Sequence, residues 1–240
     1  MAADPLLARA RAAWLGLAGT PMAFPAAGGV EVAASAGSLL CPPGWVGIMR
    51  LGDAAVVTVP SDGLVGTVRE ALRRLPVAEL TDAGRLRALL PVAGVLGPAS
   101  LAYVDENRFR PATSDEVGVV PGEAADLTAL LASVPADDAD ECGLADVTSR
   151  AFVVRHGDQV VAAAGYRRWP GRVAHLCVLT RADRRGRGLA CAVASAAVAD
   201  ALTNGLLPQW RARPEPSRRV ARALGFRQLG AQLSLALTGE

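Results

Sequence analysis

Residues 173–203 constrain this chain more tightly than any other stretch. A short run rich in Val, Leu and Thr at 173–180 passes through Arg181-Ala182-Asp183-Arg184-Arg185-Gly186-Arg187-Gly188 into an alanine-rich run at 188–203. The first reads as a strand by its length and composition, the second as a helix. That helix is apolar almost all round, with alanines at 190, 192, 194, 196, 197, 199 and 201. It must therefore lie buried, and its small side chains let it approach a sheet closely. The first turn of a helix presents amide N–H groups without intrahelical partners, and the macrodipole adds about half a positive charge there. Glycines let a ligand reach the backbone with no Cβ in the way. Arg181, Arg184, Arg185 and Arg187 add full charges. Strand, turn and helix start together predict a phosphate-binding arrangement.

The surrounding pattern predicts the layers. At 240 residues the chain has room for one large domain or two of about 120 residues, either able to bury a core. A helix at 4–18 is followed by short strands at 30–34, 45–51 and 54–59, the last two joined by a hairpin turn at Leu51-Gly52-Asp53. Ser61-Asp62 and Thr81-Asp82 are start signals for helices at 62–74 and 82–90. A strand at 95–104 is interrupted at Gly97-Pro98, and residues 108–113 close the half. It contains no GxSxG, HExxH or histidine cluster.

A second unit begins near Ser114: a helix at 122–134, an acidic turn or short helix at 137–147, and strands at 151–155, 159–166 and 173–180. His156-Gly157-Asp158 makes a tight hairpin turn between the first two strands. After the alanine-rich helix come a strand at 206–212, a helix at 214–224 and a final strand at 228–237. The expected architecture is α/β of the α+β type, with a mixed sheet flanked by helices. The expected domains are 1–113 and 114–240.

All 25 basic residues are arginine, so every ion pair or phosphate contact uses the planar guanidinium fork. The net charge of +2 argues neither for nor against nucleic acid as a bulk partner. Its placement is uneven. Residues 111–149 hold nine carboxylates and no base, and residues 167–227 hold thirteen arginines against three acids. Two readings fit: solvated faces that attract each other, or an acidic wall for a cationic or small amine beside a basic wall for an anionic cofactor. The arginines lack interleaved aromatics, which argues against nucleic acid. The four cysteines form no CxxC pair, and with only two histidines no metal spacing exists, so no metal and a reducing, cytoplasmic setting are expected. No run of 18 apolar residues predicts a membrane span. Residues 9–27 have a faint signal-like character, but 6–17 reads as an amphipathic helix with Asp4 before it.

Arg185-Gly186-Arg187-Gly188-Leu189-Ala190 resembles the acyl-CoA motif Gln/Arg-x-x-Gly-x-Gly/Ala of the GNAT superfamily of N-acetyltransferases. About 30 residues on, Ala223-Leu224-Gly225-Phe226 resembles the family's lysine-leucine-glycine-phenylalanine signature. The resemblance covers about residues 114–240. It implies a GNAT-like, mostly antiparallel mixed sheet, and the N-terminal domain is expected to be a degenerate copy of that fold, without its own arginine-glycine turn, that helps form the acceptor site. It further implies an acyl-CoA-dependent N-acyltransferase that moves acetyl from acetyl-CoA, or another acyl-CoA, to an amine by direct attack in a ternary complex. The alternative is an acyl-CoA-binding regulatory protein without turnover. On this resemblance, backbone groups of Val178, Leu179 and Thr180 meet the pantetheine arm, Arg185, Gly186, Arg187, Gly188, Leu189 and Ala190 hold the pyrophosphate, and Ser217 contacts the cofactor. Arg211, Arg213, Arg218 and Arg219 are further candidates for its adenosine phosphates. The sequence departs from the family at Pro214, where many members carry asparagine, and at Ala221, where many carry the tyrosine that protonates the leaving thiolate.

Amine acylation calls for a neutral amine and a base. Glu141, in the acidic segment, and His175, on the cofactor strand, are the two candidates, the alternatives being a solvated turn carboxylate and a satisfied core histidine. Alternation places His175, Cys177 and Leu179 on one face of the strand and Ala174, Leu176, Val178 and Thr180 on the other. Nothing adjacent in sequence activates Cys142 or Cys177 as a nucleophile. A small-molecule amine is favoured over a protein acceptor, and a monomer or homodimer is expected.

Overall fold

In the computed structural model, residues 4–112, 114 and 116–238 are described. Thr113, the expected end of the first domain, and Asp115 lie outside the described residues. The first elements in chain order are α1 (Pro5–Leu15), β1 (Gly29–Ala34), β2 (Val46–Leu51), β3 (Ala54–Val59), α2 (Asp62–Arg73), α3 (Ala83–Arg87) and β4 (Val92–Tyr103). There follow β5 (Val117–Val120), α4 (Ala125–Ala132), α5 (Ala136–Cys142), β6 (Ala151–His156), β7 (Gln159–Trp169), β8 (Val173–Thr180), α6 (Leu189–Thr203), β9 (Leu207–Ala212), α7 (Glu215–Ala223) and β10 (Arg227–Leu237). They form two compact units, Met1–Leu101 with Gln228–Glu240, and Ala102–Arg227.

In the first unit the strands run in the order β1-β3-β2-β10-β4. β2 and β3 form the expected antiparallel hairpin, and β1 joins β3 in parallel. β10 lies antiparallel to β2, from Gly230 opposite Leu51 to Leu235 opposite Val46. A Cβ on Gly230 would collide with the Arg50 carbonyl, so this pairing demands glycine there. The core gathers Val46, Ile48, Val57 and Val59 with Leu233 and Leu235 of β10, under Val68 and Leu72 of α2. The division at 113/114 expected from sequence therefore gives way to one near residue 101, with the last strand returned to the first unit. Ladder pairing between residues 179 to 189 apart leaves no local trace in sequence. β4 also runs unbroken through Gly97-Pro98, where a break was expected, with Gly97 at φ 109° absorbing the irregularity.

The second unit orders its strands β9-β8-β7-β6-β5. β5, β6, β7 and β8 pair antiparallel in succession, and β9 joins β8 in parallel. The four-residue β5 is a strand the sequence pattern does not reveal, sitting where acidic residues and Gly118 mask its alternation. The pleat of β8 sorts two cores. Ala174, Leu176 and Val178 pack with Val193, Ala194, Ala197 and Val198 of α6 and with Leu224 and Phe226 around α7. Cys177 and Leu179 pack on the opposite face with Leu127 and Leu130 of α4 and with Leu144. α6 is pinned to the sheet by the Tyr166 hydroxyl, which donates to Asp200 Oδ2 at 2.7 Å. This layering aims the start of α6 along the end of β8. No helix among the described residues is long and apolar enough to cross a membrane.

Candidate functional site

The site is built where β8 and β9 part. Their parallel pairing runs through Val173–Leu207 and Ala174–Pro208 to His175–Gln209 and stops there. β8 continues to Thr180 paired only with β7, up to Ala162 opposite Thr180. Which backbone groups face the opening follows from two bonds. Leu207 N–H donates to the Arg172 carbonyl at 2.8 Å on the β9 side, and Arg181 N–H donates to the Val161 carbonyl at 3.0 Å on the β7 side. Successive residues of a strand direct their backbone groups to opposite edges. Val178 and Thr180 therefore present theirs to the opening, and Leu179 turns its backbone to β7 and its side chain into the core with Cys177. The Thr180 hydroxyl oxygen is buried with no hydrogen-bond partner among the described residues, an unmet polar group beside this edge.

Beyond Thr180 a single 3-10 turn, Ala182–Arg184, leads to Gly186 and Gly188, both at φ 78°. That left-handed conformation costs an ordinary residue about 1–2 kcal/mol, which accounts for glycine at both positions. A Cβ on either would meet no protein atom within 4 Å, so both glycines border open space in front of the first turn of α6. Gly188 is the N-cap of α6 and has no side chain to satisfy the helix amides that follow. Gly186, Arg187 and Gly188 are exposed, Leu189 and Ala190 half-buried. Arg181 braces the turn by a two-pronged bond to Asp183, at 2.7 and 2.8 Å, and a bond to Gln159. Arg185 donates to the Thr180 carbonyl at 3.2 Å and to Asp138 of α5 at 2.7 Å.

On the α4–α5 face of the opening stands His175, stacked on Trp169 with ring centroids 4.4 Å apart. Its Nδ1 lies 2.9 Å from Gln209 Oε1, and Gln209 Nε2 donates to the Tyr103 hydroxyl at 3.1 Å. With Gln209 in this orientation Oε1 faces the imidazole, and a carbonyl oxygen can only accept. Nδ1 must then carry the proton, leaving Nε2 as the acceptor nitrogen. Burial is the main cause that pushes the His175 pKa down to about 4; Gln209 opposes it, and Arg211 and Arg167 add to it. Glu141, the other candidate base, is gripped by Arg213 Nε at 3.0 Å and Nη2 at 2.5 Å. Burial pushes the Cys177 thiol up to about 12 and raises that of Cys142, so both are ordinary protonated thiols.

The acidic wall expected from residues 111–149 is neutralised in part, at four carboxylates. Asp126 pairs with Arg155, Asp138 with Arg185, Glu141 with Arg213 and Asp146 with Arg167. On α7, Ala221 is buried among apolar side chains, and the Ser217 hydroxyl accepts Trp210 Nε1 at 3.0 Å. Arg218 pairs with Glu215 of its own helix. Gln209 and Tyr103 are members of the site that sequence reasoning missed, since an isolated amide and a phenol on separate strands carry no motif.

An opened parallel strand pair, a free backbone edge and a left-handed glycine turn at a helix start define an α/β unit whose shape and polarity suit an extended, phosphate-bearing ligand. The family model for GNAT acetyltransferases matches residues 148–231, from just before β6 into β10. Among solved structures, a GCN5-related N-acetyltransferase from Kribbella flavida is 18% identical over 78% of this chain and 81% of its own, with a TM-score of 0.53. That coverage exceeds the second unit, so the likeness of fold reaches into the first. A GNAT-family protein from Novosphingobium aromaticivorans is 22% identical over 60% of this chain, with a TM-score of 0.49. An acetyltransferase of the GNAT family from Colwellia psychrerythraea is 15% identical over 66% of this chain, with a TM-score of 0.46. The present chain spans 65% and 62% of the latter two, just under two thirds. No curated protein matches it. The match to the GNAT acetyltransferase family lies within residues 148–231, almost all of it in the second unit.

Proposed function

We propose that this protein is an acyl-CoA-dependent N-acyltransferase, moving acetyl from acetyl-CoA to an amine by direct attack in a ternary complex. The observation that carries this reading is the end of β8–β9 pairing at His175–Gln209, which leaves the Val178–Thr180 edge open and continuous with the Gly186–Gly188 turn. When bound, acetyl-CoA supplies an acyl group activated as a thioester. Val178 and Thr180 offer backbone donors and acceptors to an extended amide-bearing arm, as an added strand would. The amides from Gly186 to Ala190, with Arg185 and Arg187, suit a pyrophosphate at the helix start. Ser217 and the remaining arginines of α7 lie farther along the chain's C-terminal segment and are secondary candidates.

Two features favour direct transfer over an acylated cysteine. Cys177 and Cys142 are held as thiols, whereas a nucleophile needs the thiolate. His175 is neutral at physiological pH and offers Nε2 as a hydrogen-bond acceptor for an amine N–H. At a pKa of about 4 it is a weak base, so the acceptor reaches its free-amine form chiefly by losing its proton to water. Glu141, engaged by Arg213, acts as a base only if that pair opens. A second reading, an acyl-CoA binder without turnover, draws support from buried Ala221 at the position where many relatives carry an acidic tyrosine. Release of free thiol from acetyl-CoA, followed across a panel of small amines, separates the two. Thiol release that depends on the amine supports the enzyme. Tight CoA binding with no release across the panel supports the silent binder, and no CoA binding removes both.

A further inference from the structure

One arginine on the acceptor face is left over from the network of ion pairs. Along β9, Trp210 and Ala212 are buried in the α6–α7 core, so alternation puts Gln209 and Arg211 on the opposite face, with His175. Arg211 lies two residues beyond the last β8–β9 pair, ~7 Å further along the strand, where the two strands have already parted. Its neighbours are engaged: Arg213 with Glu141 and Arg167 with Asp146. Arg211 has no hydrogen bond or ion pair among the described residues. The side chain is exposed, yet its guanidinium is enclosed enough that desolvation lowers its pKa, with Arg213 adding to the effect and Glu141 opposing it. The mouth of the opening thus carries one uncompensated positive charge in fork geometry.

Resting on the acyltransferase reading above, we propose that Arg211 is a specificity-determining residue that binds a carboxylate on the acceptor, so that the acceptor class is amines bearing a nearby carboxylate, as in α-amino acids. A guanidinium fork matches a carboxylate with two parallel hydrogen bonds, and the enclosed setting strengthens them. The short span from the strand vertex to Arg211 requires amine and carboxylate to be few atoms apart. This assignment departs from the cationic acceptor that the acidic segment favours in sequence, because four of those carboxylates, Glu141 among them, already hold arginines.

The test uses the full chain, acetyl-CoA, and α-amino acids paired with their carboxamides. Wild-type protein is expected to favour the acids, and Arg211→Gln to lose roughly 10- to 100-fold in kcat/KM for acids only. The loss should sit mainly in KM, with CoA affinity and melting temperature unchanged and partial recovery in Arg211→Lys. Equal use of acids and carboxamides, or a preference that survives in Arg211→Gln, overturns the proposal and leaves the acyltransferase reading intact. If no amine is turned over, calorimetry of N-acetylated amino acids in the presence of CoA decides. Binding lost in Arg211→Gln upholds the carboxylate site while the enzymatic reading fails; equal binding to both proteins, or none to either, overturns it.

Discussion

Two strands of this chain run directly into long helices, and the two connections differ in every respect that matters for binding. β3 passes into α2 through Pro60-Ser61, while β8 passes into α6 through the eight residues 181–188. β3 has partners on both edges, β1 and β2, over almost its full length. β8 has both partners only as far as His175. Gly63 and Gly66 lie within the helical turns of α2, whereas Gly186 and Gly188 take φ 78° outside α6. A helix start alone is therefore not a binding site. Here it becomes one because a free backbone edge leads to it and glycines open the space before it.

The largest effect should come from exchanging these properties. Gly188→Val imposes a β-branched residue on a left-handed backbone and puts methyl groups before the α6 amides. CoA dissociation measured by calorimetry should weaken about 100-fold, ~2.7 kcal/mol, with the fold retained by circular dichroism. Gly66→Ala, at an exposed helical position with open space around it, should leave CoA affinity alone and add ~0.5–1 kcal/mol of stability. Unchanged CoA affinity in Gly188→Val would remove the contrast between the two connections.

The vertex of the opening makes the next prediction. His175 takes up its proton near pH 6.5 when unfolded and near 4 when folded. Between those values the unfolded chain binds more protons, so stability contributed here is complete above about pH 6.5 and declines as pH falls toward 4, by ~2–3 kcal/mol. Urea unfolding at pH 7 and 4.5 should show a smaller acid loss in His175→Gln than in wild type. An identical loss in both would mean the ring is not held in a desolvated state.

The smallest effect concerns the pair between the turn and α5. Arg185 and Asp138 are both about half exposed, so their attraction is worth less than about 1 kcal/mol. Asp138→Asn frees the Arg185 fork and should tighten CoA binding about two- to fivefold at low salt, the gain shrinking at 0.5 M salt. Weaker binding in this variant would mean that Asp138 positions Arg185 instead of competing for it.

The parts of the site legible in sequence are those made by neighbours along the chain. The run from 173 to 203 announced its strand, turn and helix because periodicity, glycine and helix-start physics act within a few residues. The faces of β8 followed from alternation alone, and His175 and Cys177 lie where that rule puts them. What sequence left open depends on distant partners. Asp138–Arg185 joins residues 47 apart and Arg213–Glu141 residues 72 apart, so sequence alone did not tell which carboxylates of the acidic segment hold an arginine. Gln209 acquired meaning only when the register set it opposite His175.

By itself the sequence determined the mixed α/β class, the buried alanine-rich helix and the arginine-glycine turn, since each rests on short-range sterics and hydrophobic periodicity. Only the tertiary structure decided that β10 completes the first unit, that β8 and β9 part after His175, and that Arg211 has no ion-pair partner among the described residues. Those are outcomes of pairing between remote segments, where backbone hydrogen bonds and guanidinium–carboxylate contacts are chosen by the whole fold.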